Sequence, residues 1–147
     1  MVQKKRNEDG TYGPVCRSDG SEAYYRPQPY HNKNSAKRKD KELWCIKENE
    51  QFKVFYLAAE DKQTPIWFCN ENKSLFSIIE DGKKVLGLNG ERLGKFKLPS
   101  NETDPWHGYP IEAKTKWNTP SDSLLDIWEN NDVISEITRR RIERSKI

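Results

Sequence analysis

The chain has 147 residues, a length that fits one domain with its own core and excludes a multidomain enzyme. Charged residues make up 33% of the sequence, but 5 Trp, 6 Tyr and 5 Phe exclude a wholly disordered chain, because such chains lack large apolar side chains. The net charge of +3 at pH 7 is uneven: residues 1–42 carry +4, residues 139–147 carry another +4, and residues 43–138 carry −5.

The first 41 residues are predicted to form an extended basic arm. Aliphatic residues are almost absent there, and Pro27 and Pro29 favour an extended backbone. Aromatic and basic side chains alternate, which suits contact with the phosphates and unpaired bases of a nucleic acid. The candidate binding residues of this arm are Tyr24, Tyr25, Arg26, Tyr30, Lys37, Arg38 and Lys39.

Residues 42–147 are predicted to form a single α+β domain, in which an antiparallel β meander of four to six strands over 42–98 packs against C-terminal helices. Two apolar runs near 42–46 and 52–58 are divided by a polar spacer and predict a β-hairpin. A third strand is predicted within 64–70. The run "SLFSII" that follows fits either a strand or a turn of helix.

The pair Asn89 and Gly90 predicts a second hairpin. A type I′ turn needs positive φ at both of its central residues, and Asn-Gly is the pair that best tolerates this conformation. We therefore expect Lys83–Leu88 to pair with Arg92–Phe96.

A loop rich in proline and aromatic residues, 99–118, is predicted to follow the sheet. Its centre, "DPWHGYPI", is stiffened by two prolines, so its side chains should point in fixed directions. One interpretation makes Trp106, His107 and Tyr109 a single exposed or half-exposed binding face. The other makes both rings a plug of the core, with His107 bonded to a backbone carbonyl.

Residues 119–147 are predicted to be helical. Thr119 offers a hydroxyl for an N-cap, and Pro120 suits the first helical position. Apolar residues at helical spacing then form two stripes, separated by the sequence "NND". The basic end of this region adds three candidate binding residues, Arg139, Arg140 and Arg141.

The three cysteines, Cys16, Cys45 and Cys69, form neither a complete set of disulfides nor a metal-binding pattern. Two of them lie in apolar runs, as expected of buried thiols in a reducing compartment. Neither a secretory signal nor a run of ~18 apolar residues occurs. The sequence therefore predicts a cytoplasmic protein that does not contact a membrane and uses no metal and no cofactor; the oligomeric state stays open.

Three functions fit these features. The preferred one is a non-enzymatic binding or regulatory accessory protein of an intracellular bacterial or phage system, whose protein partner contacts the aromatic loop and the basic termini. The second is binding of RNA or single-stranded DNA by the basic and aromatic side chains. The third is a metal-independent ribonuclease or toxin that uses the two histidines, His31 and His107, for proton transfer.

Overall fold

The computed structural model describes residues 5–32, 42–62 and 64–147. Within them the chain has an α+β fold with two antiparallel sheets and three α-helices, which confirms the predicted fold class. The strands are β1 (Tyr12–Cys16), β2 (Glu22–Tyr25), β3 (Phe68–Cys69), β4 (Ser74–Ile78), β5 (Leu93–Lys97) and β6 (His107–Ile111). The helices are α1 (Glu48–Ala59), α2 (Asp122–Asn130) and α3 (Glu136–Glu143).

The larger sheet is an antiparallel meander of four strands in the order β3, β4, β5, β6. One face packs on α1, where the rings of Phe96 and Phe55 lie 5.3 Å apart between their centroids. Because side chains alternate along a strand, neighbouring residues of β5 and β6 point to the opposite face. That second face carries the polar side chains Lys97, His107 and Tyr109.

Helix α1 replaces the hairpin predicted over 42–46 and 52–58, and that prediction is wrong. The buried side chains Phe52, Phe55 and Ala59 recur every three to four residues, which is the spacing of one helix face. At the start of the helix, the carboxylate of Glu50 accepts a hydrogen bond from the backbone N–H of Lys47 at 3.4 Å. The aromatic and β-branched content of this segment favours a strand, but the spacing of its buried residues is helical.

The hairpin predicted at Asn89 and Gly90 is also wrong in its pairing. A tight turn does form, closed by a hydrogen bond from Leu86 N to Glu91 O at 2.7 Å, and Gly90 has a φ of 86°. Asn89 does not share the positive φ that a type I′ turn requires. Residues 93–97 pair instead with β4 and β6, and the predicted partner 83–88 is not a strand of this sheet.

Residues 12–25 of the predicted arm fold into the β1–β2 hairpin instead of an extended segment. Its apolar side chains, Tyr12, Val15, Ala23 and Tyr25, are buried, and both strands pack on α1. Both tyrosine rings stack on α1, Tyr12 on Phe52 at 5.7 Å and Tyr25 on Phe55 at 5.6 Å between the ring centroids. The predicted basic cluster, Lys37, Arg38 and Lys39, lies outside the described residues.

The predicted loop 99–118 contains the edge strand β6, so this part of the loop prediction is wrong. A proline is tolerated there because an edge strand has one side without a hydrogen-bonding neighbour. The helices predicted within 119–147 are present, but the cap is not Thr119, whose hydroxyl donates to Thr115 O at 2.7 Å. Ser121 caps α2 instead and accepts from Leu124 N at 3.3 Å. In the described part of the chain, every helix is too short or too polar to cross a bilayer.

Candidate functional site

Strand β6 separates the aromatic residues of the octapeptide onto two faces. Trp106 is 7% exposed and packs on Phe55 in the core, with 6.0 Å between the ring centroids. A side chain at Gly108 would overlap the ring of Phe96, so this position also faces the core. His107 and Tyr109 point the other way and are half-buried. The predicted face of all three side chains is therefore wrong for Trp106, because strand alternation turns it away from the other two.

A cavity of about 550 Å³ lies on the face that His107 and Tyr109 share. Its size is that of a small-molecule or nucleotide pocket. The titratable side chains that line it are His31, Glu42, Lys97, Asp104, His107 and Tyr109. Uncharged polar side chains complete the lining, among them Gln28, Ser100 and Asn118. Both histidines of the chain, which lie far apart in sequence, thus meet at one cavity.

His31 reaches the cavity from a short 3₁₀ turn, Pro29–His31, that follows β2. Its ring stacks on the ring of Tyr109, with 5.1 Å between the centroids and 20° between the planes. Its Nδ1 lies 2.7 Å from the backbone oxygen of Glu42. A carbonyl oxygen only accepts hydrogen bonds, so Nδ1 carries the proton and the lone pair of the neutral ring lies on Nε2.

His107 is oriented by the residues that follow β2. Its Nδ1 lies 3.0 Å from the backbone oxygen of Arg26, which accepts a hydrogen bond when Nδ1 carries a proton. The side-chain amide nitrogen of Gln28 lies 2.7 Å from the same Nδ1 and donates to it when the ring proton is on Nε2. In both tautomers Nδ1 bonds to the fold, so Nε2 is the ring nitrogen through which His107 is expected to exchange protons with a ligand.

Lys97 lies beside the histidines because its Cα pairs with that of His107 across β5 and β6. Its Nζ is 6.0 Å from the centre of the Tyr109 ring. Among the described residues, no carboxylate pairs with this exposed ammonium group. Burial raises the pKa of Tyr109, and the charge of Glu42 adds to the effect, so the phenol stays protonated at neutral pH. The phenol is therefore a neutral hydrogen-bond donor between a cation and an imidazole.

A second lysine on the same face of the sheet, Lys95, bonds to Asn118, one of the residues that line the cavity. It is buried, and its Nζ donates to Trp117 O at 2.6 Å and to Asn118 Oδ1 at 3.2 Å. Burial, with a smaller contribution from Lys97, lowers the pKa of Lys95. These bonds attach the 3₁₀ turn Lys116–Asn118 to the sheet. Asn118 of this turn lines the cavity, whereas its neighbour Trp117 does not line it and is 66% exposed.

Sequence reasoning missed Lys97 and Trp117. The signal for Lys97 is the alternation in "LGKFK", which places every second residue of β5 on one face. The signal for Trp117 is its position as a single aromatic residue in the polar run "KTKWNT", where no apolar neighbour predicts burial.

Of the remaining predicted binding residues near the N-terminus, Tyr24, Tyr25 and Arg26 do not line this cavity. Tyr25 is fully buried, and its hydroxyl donates to Gln51 Oε1 at 2.7 Å. Tyr24 is half-buried beside a separate depression that also contains Arg26, whose Nη1 donates to Asp9 O at 2.7 Å. The side chain of Tyr30 lies outside the described part of the structure. Tyr25, a candidate binding residue in the sequence, is therefore a core residue, with its ring stacked on that of Phe55.

The three predicted arginines of α3 differ in their surroundings. Arg139 bonds to Asp126 at 2.6 Å, to Glu129 at 3.1 Å and to Glu143 at 3.2 Å, and these carboxylates raise its pKa. Arg140 pairs with Glu136, one turn earlier on the helix. Arg141 is exposed and donates only a long bond to Lys146 O at 3.4 Å. Arg139 thus connects α2 to α3 rather than offering its charge to a ligand.

No protein-family model matches the chain, and no curated protein or solved structure is significantly similar to it. Across the described residues, no group of three or more His, Cys, Asp or Glu side chains is placed to hold a metal ion.

Proposed function

We propose that the protein binds single-stranded RNA, with a phosphate group in the cavity and a base on Trp117. The observation that carries this proposal is the position of Lys97 and both histidines around one cavity, whose lining also includes Asn118, the neighbour in sequence of the exposed Trp117. Cations that contact the backbone and aromatic rings that stack on bases are the two parts of a site for single strands.

Each part contributes a different energy. The ammonium of Lys97 meets a phosphate without first breaking an ion pair to any described carboxylate, and a protonated imidazole adds a hydrogen bond from Nε2 to a phosphate oxygen. Stacking of a base on Trp117 is worth roughly 1–3 kcal/mol. Lys116 strengthens this position, since its Nζ lies 5.9 Å from the centre of the indole.

Two carboxylates limit how much anionic charge the cavity accepts. Glu42 and Asp104 line it together with Lys97. We expect a bound phosphate to lie on the side of Lys97 and His107, and the acidic groups to repel a second phosphate at the same place. This arrangement favours one strand with well-separated phosphates over a double helix.

The proposal is tested by fluorescence anisotropy with a labelled 2′-O-methyl RNA hexamer, a strand that binds but is not cleaved through its 2′ oxygen. Lys97→Gln should weaken binding roughly tenfold and reduce the salt dependence by about 0.7 in the slope of log K against log salt. Trp117→Ala should weaken it about ten- to a hundredfold, from the loss of one stacked base.

The matched controls lie on α1, on the other side of the sheet. Lys53→Gln removes an exposed lysine and Leu57→Ala removes an exposed apolar side chain, so neither should change the affinity. Equal effects of Lys53→Gln and Lys97→Gln would show a general charge effect, and the cavity would then not be the binding site.

A protein partner is the second candidate function, and one observation favours it. Ile137 on α3 is 69% exposed and lies beside a shallow depression of about 280 Å³. Basic side chains surround it, namely Arg140, Arg141, Arg144 and Lys146. An apolar centre with a basic rim fits an acidic protein surface. An accessory role in an intracellular bacterial or phage system, and a cytoplasmic location, stay predictions.

This second candidate is tested by capture from cells that produce the protein, after nuclease treatment. Ile137→Asp should abolish recovery of a specific protein partner, whereas Leu57→Asp should not. A partner that is recovered equally with both variants does not bind this face of α3.

A further inference from the structure

We infer that the cavity not only binds RNA but also cleaves it, with His31 and His107 as the two groups that transfer protons. The inference rests on the proposed function, because the reaction requires a phosphodiester at Lys97. Its basis is the meeting of both histidines, one lysine and one phenol at a single cavity. Those groups are sufficient for a phosphoryl transfer that needs only proton transfer and a cation.

Both imidazoles contact the fold through Nδ1. Nδ1 of His31 lies 2.7 Å from Glu42 O, and Nδ1 of His107 lies 3.0 Å from Arg26 O and 2.7 Å from the side-chain amide of Gln28. The proposed reaction therefore uses Nε2 of each ring, in the orientation that these contacts give it. The stack on Tyr109 restrains His31 further. General acid–base catalysis requires this kind of positioning before it requires a particular pKa.

The reaction that fits is an internal transfer within RNA. One neutral imidazole removes the proton of a ribose 2′-hydroxyl, and the 2′ oxygen forms a bond to the neighbouring phosphorus. The bond from phosphorus to the 5′ oxygen of the next nucleotide breaks, and the other, protonated imidazole donates its proton to that oxygen. The products are a 2′,3′-cyclic phosphate and a 5′-hydroxyl. No water, oxidant or other reactant is consumed, and exchange with solvent restores both histidines.

Lys97 is expected to stabilise the charge on the non-bridging phosphate oxygens as the new bond forms. It is suited to this task because it lies across the strand pair from His107. The nucleophile belongs to the substrate, so a 2′-hydroxyl is required and DNA should bind without being cleaved.

The rate should fall on both sides of a pH optimum, because one imidazole must be neutral and the other protonated. Among the described residues, the groups that line the cavity with these rings are Lys97, Glu42, Asp104, the phenol of Tyr109 and the amide of Gln28.

The experiment compares cleavage and binding by the same preparations of the full chain. His31→Gln and His107→Gln should each slow cleavage of a hexameric RNA about 10²- to 10⁴-fold. The double variant should be no slower than the worse single variant, because two groups that act in one step are not additive. Binding of the 2′-O-methyl hexamer should change less than tenfold, which shows that the variants are folded. Lys53→Gln, purified in parallel, should retain full activity.

A second substrate identifies which histidine donates the proton to the leaving group. An RNA in which sulfur replaces the 5′ bridging oxygen has a leaving group that needs no proton, so it should restore cleavage by one of the two histidine variants and not by the other. Cleavage that persists in the double variant would mean that neither histidine is used. Binding of the 2′-O-methyl hexamer at Lys97 without any cleavage of RNA would overturn the inference alone, whereas absence of binding would overturn the proposed function as well.

Discussion

The hydroxyl of Tyr25 is a buried polar group on which the core depends. It donates to Gln51 Oε1 at 2.7 Å, and the amide nitrogen of Gln51 donates to Asn32 Oδ1 at 3.0 Å. Tyr25→Phe leaves the Gln51 oxygen without this donor in a dry environment. We expect a loss of about 1–3 kcal/mol in the free energy of unfolding, measured by urea denaturation at pH 7.

Burial raises the pKa of Tyr25 well above its ordinary value, so this phenol should affect stability at alkaline pH. Up to about pH 10 the phenol is protonated in both states. Above that pH the unfolded chain releases the proton while the folded chain retains it, so the free energy of unfolding falls. Tyr25→Phe should make this fall less steep in urea denaturation, and an unchanged slope would contradict the assignment.

The negative charge of Asp104 tests whether the cavity holds an anionic group. Its carboxylate lines the cavity and accepts a bond from Asn101 Nδ2 at 3.1 Å, which an amide oxygen can also accept. Asp104→Asn should strengthen binding of the RNA hexamer about two- to fivefold, and more at low salt, because a repulsion is removed. Glu71→Gln, an exposed acid that does not line the cavity, is the control. Weaker binding of the hexamer by Asp104→Asn would contradict a phosphate in the cavity, because Asp104 would then not repel the bound strand.

Among the elements, β5 and β6 depend on a close contact between Gly108 and Phe96. These residues are direct cross-strand partners, and a Cβ at Gly108 would overlap the Phe96 ring and lie 2.7 Å from Lys95 O. Gly108→Ala should therefore destabilise the fold by roughly 1–3 kcal/mol through overpacking. A second substitution, Phe96→Leu, should lower the free energy of unfolding less in the Gly108→Ala variant than in the native protein. A double-mutant cycle measures this difference. Strictly additive costs would mean that the two side chains do not meet.

Local pattern predicts some of these elements and misleads on others. The helices near the C-terminus follow from their apolar stripes, and the turn at Gly90 follows from its glycine. By contrast, local pattern predicts strands where α1 lies, because "FKVFYL" is rich in residues that favour strands. Its helical state depends on burying Phe52 and Phe55 against β1, β2 and the sheet, a tertiary contact that no local propensity contains.

At the scale of the whole molecule, the candidate site combines segments that are distant in sequence. The turn at His31 follows the N-terminal hairpin, Lys97 ends β5, and His107 begins β6. The octapeptide could be selected from its composition, and His107 and Tyr109 do line the cavity. His31 lines the same cavity because of the way the N-terminal hairpin packs on the meander. The sequence therefore suggests that the two histidines act together, but it does not predict that they lie at one cavity.

Imidazole NMR tests the central claim most directly, since the chain has 2 histidines and both line the cavity. Every histidine signal therefore reports on the proposed site. In a titration with the 2′-O-methyl RNA hexamer, we predict that the ring signals of His31 and His107 shift together and saturate at the Kd found by anisotropy. Saturable binding that leaves both imidazole signals unmoved would contradict the account, because the strand would then be bound elsewhere on the protein.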